Sequence, residues 1–259
     1  MFIQQIQIGS LTLKIAETER IEAVIAEVLA RRSPVHLVTF NTLMYWDART
    51  DREFARLLSN AAIVVADSAG ICWAIRLLTG RTVRRCAGID LLQRICDYAA
   101  RNDHGVYLLG ARPGVAAAAA LALTARYPRL KISGTHHGYF SAEDEPGVFR
   151  AIRGSGASIL FVGLAMPHQE KWLAGHRTEF GASLMVGVGG SLDVIAGQLK
   201  RAPQWMQAAG LEWFYRLLQQ PSRFIRMLRL PLFVADILLL KVRSLLVVNI
   251  HRPSGERKQ

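Results

Sequence analysis

Cysteine is scarce in this sequence. There are three in 259 residues, Cys72, Cys86 and Cys96, with no C-x-x-C pair among them. An odd, unpatterned set of this kind reads as reduced and cytosolic and not as a disulfide framework. Long apolar runs are missing as well. No uncharged stretch reaches the roughly 18 residues of a simple spanning helix. The opening MFIQQIQIGSLTL has no basic segment leading into an apolar one, so no signal peptide is expected. Neither G-x-G-x-x-G nor G-x-x-x-x-G-K-[ST] occurs, which removes the dinucleotide fingerprint and the Walker loop. No D-x-D pair is present to hold a divalent metal on a diphosphate. Of the seven histidines only His136 and His137 are neighbours, and adjacent residues do not readily point into one site, so neither a metal nor a cofactor is expected.

Acidic residues are the scarce charge, 20 against 32 Lys and Arg, for a net charge of +12. Such a balance favours an anionic partner: nucleic acid, an anionic membrane or phosphorylated ligands. From Lys200 onward there are eleven basic and three acidic residues, so eight of the twelve net charges sit in the last quarter of the chain. The first 199 residues are nearly balanced and carry no nucleic-acid motif, so no nucleic acid is expected as a partner.

Hydrophobic residues make up 51% of the chain, enough for a sizeable core. FIQQIQI, a Gly9-Ser10 turn and LTLKI read as a β-hairpin, and a helix pattern follows from about Glu17 to Arg31. Short apolar runs then recur at 35–40, 62–67, 105–110, 130–135, 158–164 and 183–189, separated by segments of helical spacing. This alternation predicts an α/β domain: a mostly parallel, Rossmann-like sheet with helices on both faces. The alternation stops after Gly197. Expected beyond it are a helical segment near Ala202–Gln219, Pro221 in a first turn, an apolar and basic stretch to about Ile250, and a frayed end over 252–259. The expected division is residues 1–199 as the catalytic domain and 200–259 as a helical appendage.

In an open α/β sheet, ligands bind outside the carboxyl ends of the strands, and the chemistry-bearing residues cluster there. Thr39 and Asn41 follow the first run. Asp67 ends the second, where partial desolvation would raise its pKa and make it a better proton acceptor; the plainer alternative is that it caps the helix starting near Ala69. Gly110 and Gly114 frame GARPG, a strand-to-helix turn whose N–H groups suit a diphosphate, although a plain tight turn fits equally well. Gln169, in PHQE, can donate to and accept from a nucleobase or sugar hydroxyl. Gly189 and Gly190 let a ligand approach the backbone beside Asp193, which can accept from a base or ribose or simply cap a loop. Arg85 fits a pyrophosphate bidentately, against the plainer reading of a solvated arginine.

Together these segments resemble the WecG/TagA/CpsF family, glycosyltransferase family 26. The resemblance runs from about Val35 to Arg226. It is carried by VTFNT at 38–42, Asp67 with Gly70, RCAGIDL at 85–91, LLGARPG at 108–114, YP at 127–128 and GTHHGYF at 134–140. ILFVGLAMPHQEKW at 159–172, GVGGSLDVIAG at 187–197, KRAP at 200–203 and LEWFYRL…P.R..R at 211–226 carry it further. Ser68, His137 and Ala165 stand where the family pattern has Gly, Asp and Gly. The resemblance implies a Rossmann-like enzyme of surface-polysaccharide assembly. It would move a hexose, an N-acetylhexosamine or its uronic acid from a UDP-sugar to a polyprenyl-diphosphate-linked acceptor, with inversion and without metal. It implies Asp67 as base, Thr39 and Asn41 beside the reacting sugars, and Arg85 near the reacting centre. Tyr139, Gln169 and Asp193 would surround the UDP. With no D-x-D metal, arginines would neutralise the leaving diphosphate.

Rival readings are an NAD-dependent sugar-nucleotide oxidoreductase, against which the missing G-x-G-x-x-G counts, and a non-enzymatic basic membrane- or nucleic-acid-binding module. Arg223, Arg226 and Arg229 recur every third residue, a basic arc of roughly 120° on a helix, which Arg216 would join if Pro221 does not bend the path. The P.R..R match implies Arg216, Arg223 or Arg226 over the diphosphate. Residues 230–250 are too charged for an easy span and too apolar for a free helix. They read as an interfacial helix on the anionic inner face of the cytoplasmic membrane, or else as a surface packed on the body or in a homo-oligomer.

Overall fold

The computed structural model describes residues 2–250; the expected frayed end at 252–259 lies outside the described residues. The eight described strands form one sheet in the order β1-β2-β4-β3-β8-β7-β5-β6. β1 (Ile3–Ile8) and β2 (Leu11–Ala16) make the expected antiparallel hairpin, with Gly9 in the left-handed region at φ +59°. β3 (Val35–Phe40), β4 (Ile63–Ala66), β5 (Gly105–Gly110), β6 (Lys131–His136), β7 (Ile159–Gly163) and β8 (Leu184–Gly187) pair in parallel.

The reason lies in two-sided burial. Successive residues of a strand point to opposite faces, and both faces of β3 and β4 carry buried apolar residues. Leu37, Ile63 and Val65 join one core with α1 (Ile21–Arg31), α5 (Gly88–Arg101) and α6 (Val115–Arg126). Val38, Phe40, Val64 and Ala66 join the other core, under α2 (Thr42–Thr50), α3 (Arg52–Asn60) and α4 (Ala69–Thr79). β6, at the sheet edge, has no fully buried residue, and its sequence KISGTH is the least apolar of the six parallel runs. Further helices are α7 (Glu145–Gly154), α8 (His168–Gly175) and the short α9 (Ser191–Ile195).

After Gly197 the chain is helical, as expected, but in pieces. The segment expected over 202–219 is two helices, α10 (Gln204–Ala208) and α11 (Glu212–Gln219). Gly210 separates them at φ +72°, a conformation that L side chains rarely adopt. Pro221 opens a 3-10 turn to Arg223, then come α12 (Phe224–Met227) and α13 (Arg229–Ile250). The expected basic arc is thereby divided. Arg229 pairs with Asp47 of α2, while Arg223 and Arg226 line a cavity over the strand ends.

One side of α13 packs on the body: Phe233 and Ile237 are buried in the core that holds Met44, Tyr45 and Ile71. Asp236 accepts a hydrogen bond from the Tyr45 hydroxyl at 2.6 Å and pairs with Arg49. The other side exposes Leu232, Val234, Leu238, Leu239, Val242, Leu245 and Leu246. Among the described residues, no helix is long and apolar enough to cross a membrane.

Phe233 is 1% exposed, with its ring 5.2 Å from that of Tyr45. Phe233→Ala is expected to lower the urea-unfolding free energy by about 3–5 kcal/mol, the usual cost of emptying a buried aromatic site. An unchanged midpoint would show that α13 adds nothing to the stability of the body.

Candidate active site

A cavity of about 850 Å³ opens where β3, β4, β7 and β8 end, the centre of the sheet, and the C-terminal segments α11 to α13 roof it. Ten of the residues singled out in the sequence line it: Thr39, Asn41, Asp67, Arg85, Gln169, Gly189, Gly190, Arg216, Arg223 and Arg226. Asp193 sits just behind this wall; a Cβ built on Gly190 would lie 3.6 Å from its carboxylate. Gly110, Gly114 and Tyr139 do not line it. Gly110 is where β5 meets β7, and a side chain there would run into the Gly163 backbone at 2.4 Å. Gly114 precedes α6 with open space around it, and Tyr139 is 68% exposed.

Asp67 follows β4 at the cavity floor. It does not cap α4; Ser68 does, through its hydroxyl and the Ile71 N–H. Ser68 also bonds Thr42 Oγ1 at 2.9 Å, so the residue that departs from the family pattern has a structural use. Freed from capping, Asp67 directs Oδ1 at the Gly88 N–H, 2.8 Å away, at the start of α5. Burial pushes the Asp67 carboxyl up to about 6, while the Gly88 N–H and Arg85 pull the other way. A carboxyl at that value is mostly ionised near neutrality and yet a far better proton acceptor than an exposed one.

Arg85 is not solvated. Its Nε donates to the Asp67 carbonyl at 2.8 Å, Nη1 to the Gln207 carbonyl at 3.3 Å, and Nη2 pairs with Glu212. Asn41 caps α2, accepting from the Leu43 and Met44 N–H groups, and its amide nitrogen touches only the Met166 sulfur, at 3.9 Å. Thr39 donates to the Gly187 carbonyl at 2.9 Å, tying β3 to β8. Gln169 is buried: its oxygen accepts from Leu164 and Gly189, and its nitrogen donates to Glu170. It therefore holds the loops after β7 and β8 in register. Glu170 in turn lies 2.6 Å from His36 Nε2. Gly187 is required here, since a Cβ would fall 2.2 Å from the Gln169 amide nitrogen.

The roof is cationic. Among the described residues Arg216, Arg223 and Arg226 meet with no ion pair to a carboxylate of their own, whereas Arg49, Arg201 and Arg229 are paired. Burial lowers the pKa of Arg216, and burial with the charges of Arg216 and Arg226 lowers that of Arg223 to about 10. Among the described residues the buried Nε of Arg216 has no hydrogen-bond partner. A buried donor of this kind among like charges suits an anionic ligand. Among the described residues no group of three or more His, Cys, Asp or Glu is placed to hold a metal ion.

Two residues at the cavity that the sequence did not single out are Glu212 and Arg201. They face each other at 3.4 Å, and Arg201 grips Asp90 bidentately at 2.6 and 2.7 Å. Both lie inside segments that carry the family resemblance, which was the available signal.

Comparison with known proteins adds to this geometry. Residues 6–245 match the family model described as the glycosyl transferase WecG/TagA/CpsF family. The chain is 34% identical over 200 residues to the N-acetylglucosaminyldiphosphoundecaprenol N-acetyl-beta-D-mannosaminyltransferase of Bacillus subtilis, covering 77% of each chain. It is 37% identical over 201 residues to the Staphylococcus aureus protein of the same name, covering 78% of each.

The raised carboxyl has a consequence for stability. Its folded-state value, about 6, lies above its ordinary 3.8, so the native protein binds more protons than the unfolded chain between those values. Stability from this group is therefore full below about pH 4 and is lost as pH rises through 6, a loss of order 2–3 kcal/mol. Asp67→Asn is expected to be more stable than wild type at pH 8, with the difference closing towards pH 4. Calorimetric melting across that range checks it, and a constant difference would show that the carboxyl is not raised.

Proposed function

The chain belongs to the WecG/TagA/CpsF glycosyltransferase family, and from that premise we propose an inverting, metal-independent transfer. A hexose, N-acetylhexosamine or derived uronic acid would pass from a UDP-sugar to a polyprenyl-diphosphate-linked sugar in surface-polysaccharide assembly. One observation carries the reading: a single cavity holds a carboxyl raised by burial and three arginines that have no carboxylate partner among the described residues. The names of the relatives, a mannosaminyl donor group and a diphosphoundecaprenol acceptor, support the substrate classes.

In this reading Asp67 takes the proton from an acceptor hydroxyl. The oxygen forms a bond to the anomeric carbon from the face opposite UDP, and the bond from that carbon to the diphosphate breaks with its electron pair on the departing oxygen. Arg216, Arg223 and Arg226 receive that charge, each donor contributing a few kcal/mol. Asn41 offers its free amide nitrogen to a sugar hydroxyl. Thr39 and Gln169 fix the strand ends, and Gly189, Gly190 and Asp193 form the wall against the nucleotide. Arg85 stands beside the reacting centre. Gly114 and Tyr139 stand outside the cavity lining, where the uridine would have to extend to meet them, and Gly110, buried against Gly163, acts only through the backbone it lets approach.

The division in this reading is a catalytic domain of residues 1–199 and an appendage of residues 200–259, whose residues up to Val234 complete the site, on the cytoplasmic face of the inner membrane. At 100° per residue the exposed apolar residues of α13 fall in one arc of roughly 160°, with Lys241 and Arg243 at its two edges. That is the layout of a helix lying in an anionic interface, with basic residues adding about 1 kcal/mol each.

The test is transfer from a panel of UDP-sugars to undecaprenyl-diphosphate-N-acetylglucosamine, scored by product mass and anomeric configuration. Turnover is expected to persist in EDTA, to give the inverted anomer, and to fall by about 10²–10⁴ in Asp67→Asn. Metal-dependent turnover, a retained anomer or an active Asp67→Asn variant would each overturn the mechanism.

Gly190→Ala probes the cationic roof without removing a charge. The added methyl would fall 1.9 Å from Arg216 Nη2, the far end of a flexible side chain, so the arginine must move while the fold persists. UDP affinity is expected to drop about tenfold, or ~1.4 kcal/mol, at an unchanged melting temperature. Unchanged affinity by calorimetry would take Arg216 away from the diphosphate.

A further inference from the structure

We propose that Glu212 is a positioning residue that, itself held by Arg201, keeps the Arg85 guanidinium off the Asp67 carboxylate and leaves that carboxylate free to accept a proton. This rests on Asp67 being the base.

The geometry is a closed ring of contacts. Arg85 approaches Asp67 closely, but its Nε donates to the backbone carbonyl and not to the carboxylate. An arginine paired directly with that carboxylate would stabilise its charge and make it a poor base. Two acceptors hold the guanidinium where it is: the Gln207 carbonyl at 3.3 Å and the carboxylate of Glu212 in the first turn of α11. The other Glu212 oxygen faces Arg201 Nε at 3.4 Å. The terminal nitrogens of Arg201 take both oxygens of Asp90 at 2.6 and 2.7 Å. Asp90 lies in the first turn of α5, the same turn whose Gly88 N–H holds Asp67 Oδ1 at 2.8 Å. The ring thus runs from Asp67 through α5, Asp90, Arg201, Glu212 and Arg85 back to Asp67.

Its charges balance without Asp67. Arg85 and Arg201 are matched by Glu212 and Asp90, so nothing in the ring requires the Asp67 carboxylate to be charged. The remaining charged group near it is Arg216, and the neighbouring thiols are Cys72 and Cys86. Burial pushes these thiols up to about 11 and about 12, so neither titrates near pH 6. Because Glu212 and Arg201 belong to the C-terminal segment, the base is competent only while that segment is docked.

The experiment is the pH dependence of kcat/KM for Glu212→Gln and Arg201→Gln in the full-length chain, with UDP affinity and melting temperature measured beside it. Removing the Glu212 charge and releasing Arg85 both lower the Asp67 value. The acid limb is therefore expected to move down by about one pH unit and turnover at pH 8 to fall about tenfold, with UDP affinity within about threefold. Arg201→Gln, which unties Glu212 from α5, is expected to move the limb the same way by less, and it carries the test if Glu212→Gln does not fold. An acid limb that stays at its wild-type pH overturns the proposal even if turnover drops, because a merely structural role lowers the rate without moving the limb. Asp67→Asn separates the two readings. If it remains active, the assignment of the base has failed; if it is inactive while the limb of Glu212→Gln stays in place, only the positioning role has failed.

Discussion

The ion pair between Arg85 and Glu212 joins the sheet to everything that covers its open end. Arg85 belongs to the loop between α4 and α5, Glu212 to the segment after the last strand, and 127 positions of sequence separate them. Both are about three-quarters buried as side chains, so the pair is neither a solvated surface contact nor a fully desolvated one. Exposed pairs contribute at most about 1 kcal/mol, and buried pairs often fail to recover their desolvation cost. The contribution of this one is therefore to be sought in geometry. It fixes where α11 lies, and α11 carries Arg216. Together with the pairs Arg201–Asp90 and Arg229–Asp47 it holds the arginines of the roof over the strand ends.

The roof differs from the other arginine contacts of the C-terminal segment. Those are matched: Arg49 with Asp236, Arg201 with Asp90, Arg229 with Asp47. Arg216, Arg223 and Arg226 instead crowd one another, and burial and mutual repulsion hold Arg223 down to about 10. The orphaned Nε of Arg216 alone costs about 1–3 kcal/mol. An arrangement that opposes folding persists where something else compensates it, and an anion between the three would do so. The raised Asp67 carboxyl on the cavity floor is the same kind of cost with the opposite sign of charge. Both lie in one cavity, which is why the strain points to chemistry and not to a packing defect.

Much of the fold was legible because β-strand burial is local information. Each of the six apolar runs became a parallel strand, and Gly9-Ser10 became the hairpin turn. The polar strand ends were legible as one shared site because topology alone brings the carboxyl ends of parallel strands together. What could not be read was decided by contacts across long separations. The sequence left open whether Asp67 caps a helix, and Ser68 next to it takes that role. Gln169 looks like a ligand group, but its donor and acceptor are spent on Glu170, Leu164 and Gly189. Arg201 and Glu212 carry no local mark of their partnership. The even spacing of Arg223, Arg226 and Arg229 suggested one basic face, which the break at Leu228 and the pull of Asp47 undo.

The last segment shows why two readings of one sequence need not compete. Residues 230–250 are apolar enough either to pack on the body or to lie in an interface, and a helix has circumference for both. Phe233 and Ile237 fall on one side, with Asp236 turned the same way to meet Tyr45 and Arg49, so the only acidic residue of α13 is kept off the exposed arc. Lys241 and Arg243 border that arc, where long basic stems can lie along apolar surface with their charges outward. Leu230, Pro231 and Val234 belong at once to this helix and to the cavity wall. A surface that is apolar outside and continues into the wall of the site brings the cavity mouth to whatever the helix rests on. If that is a bilayer, the cavity opens at its surface.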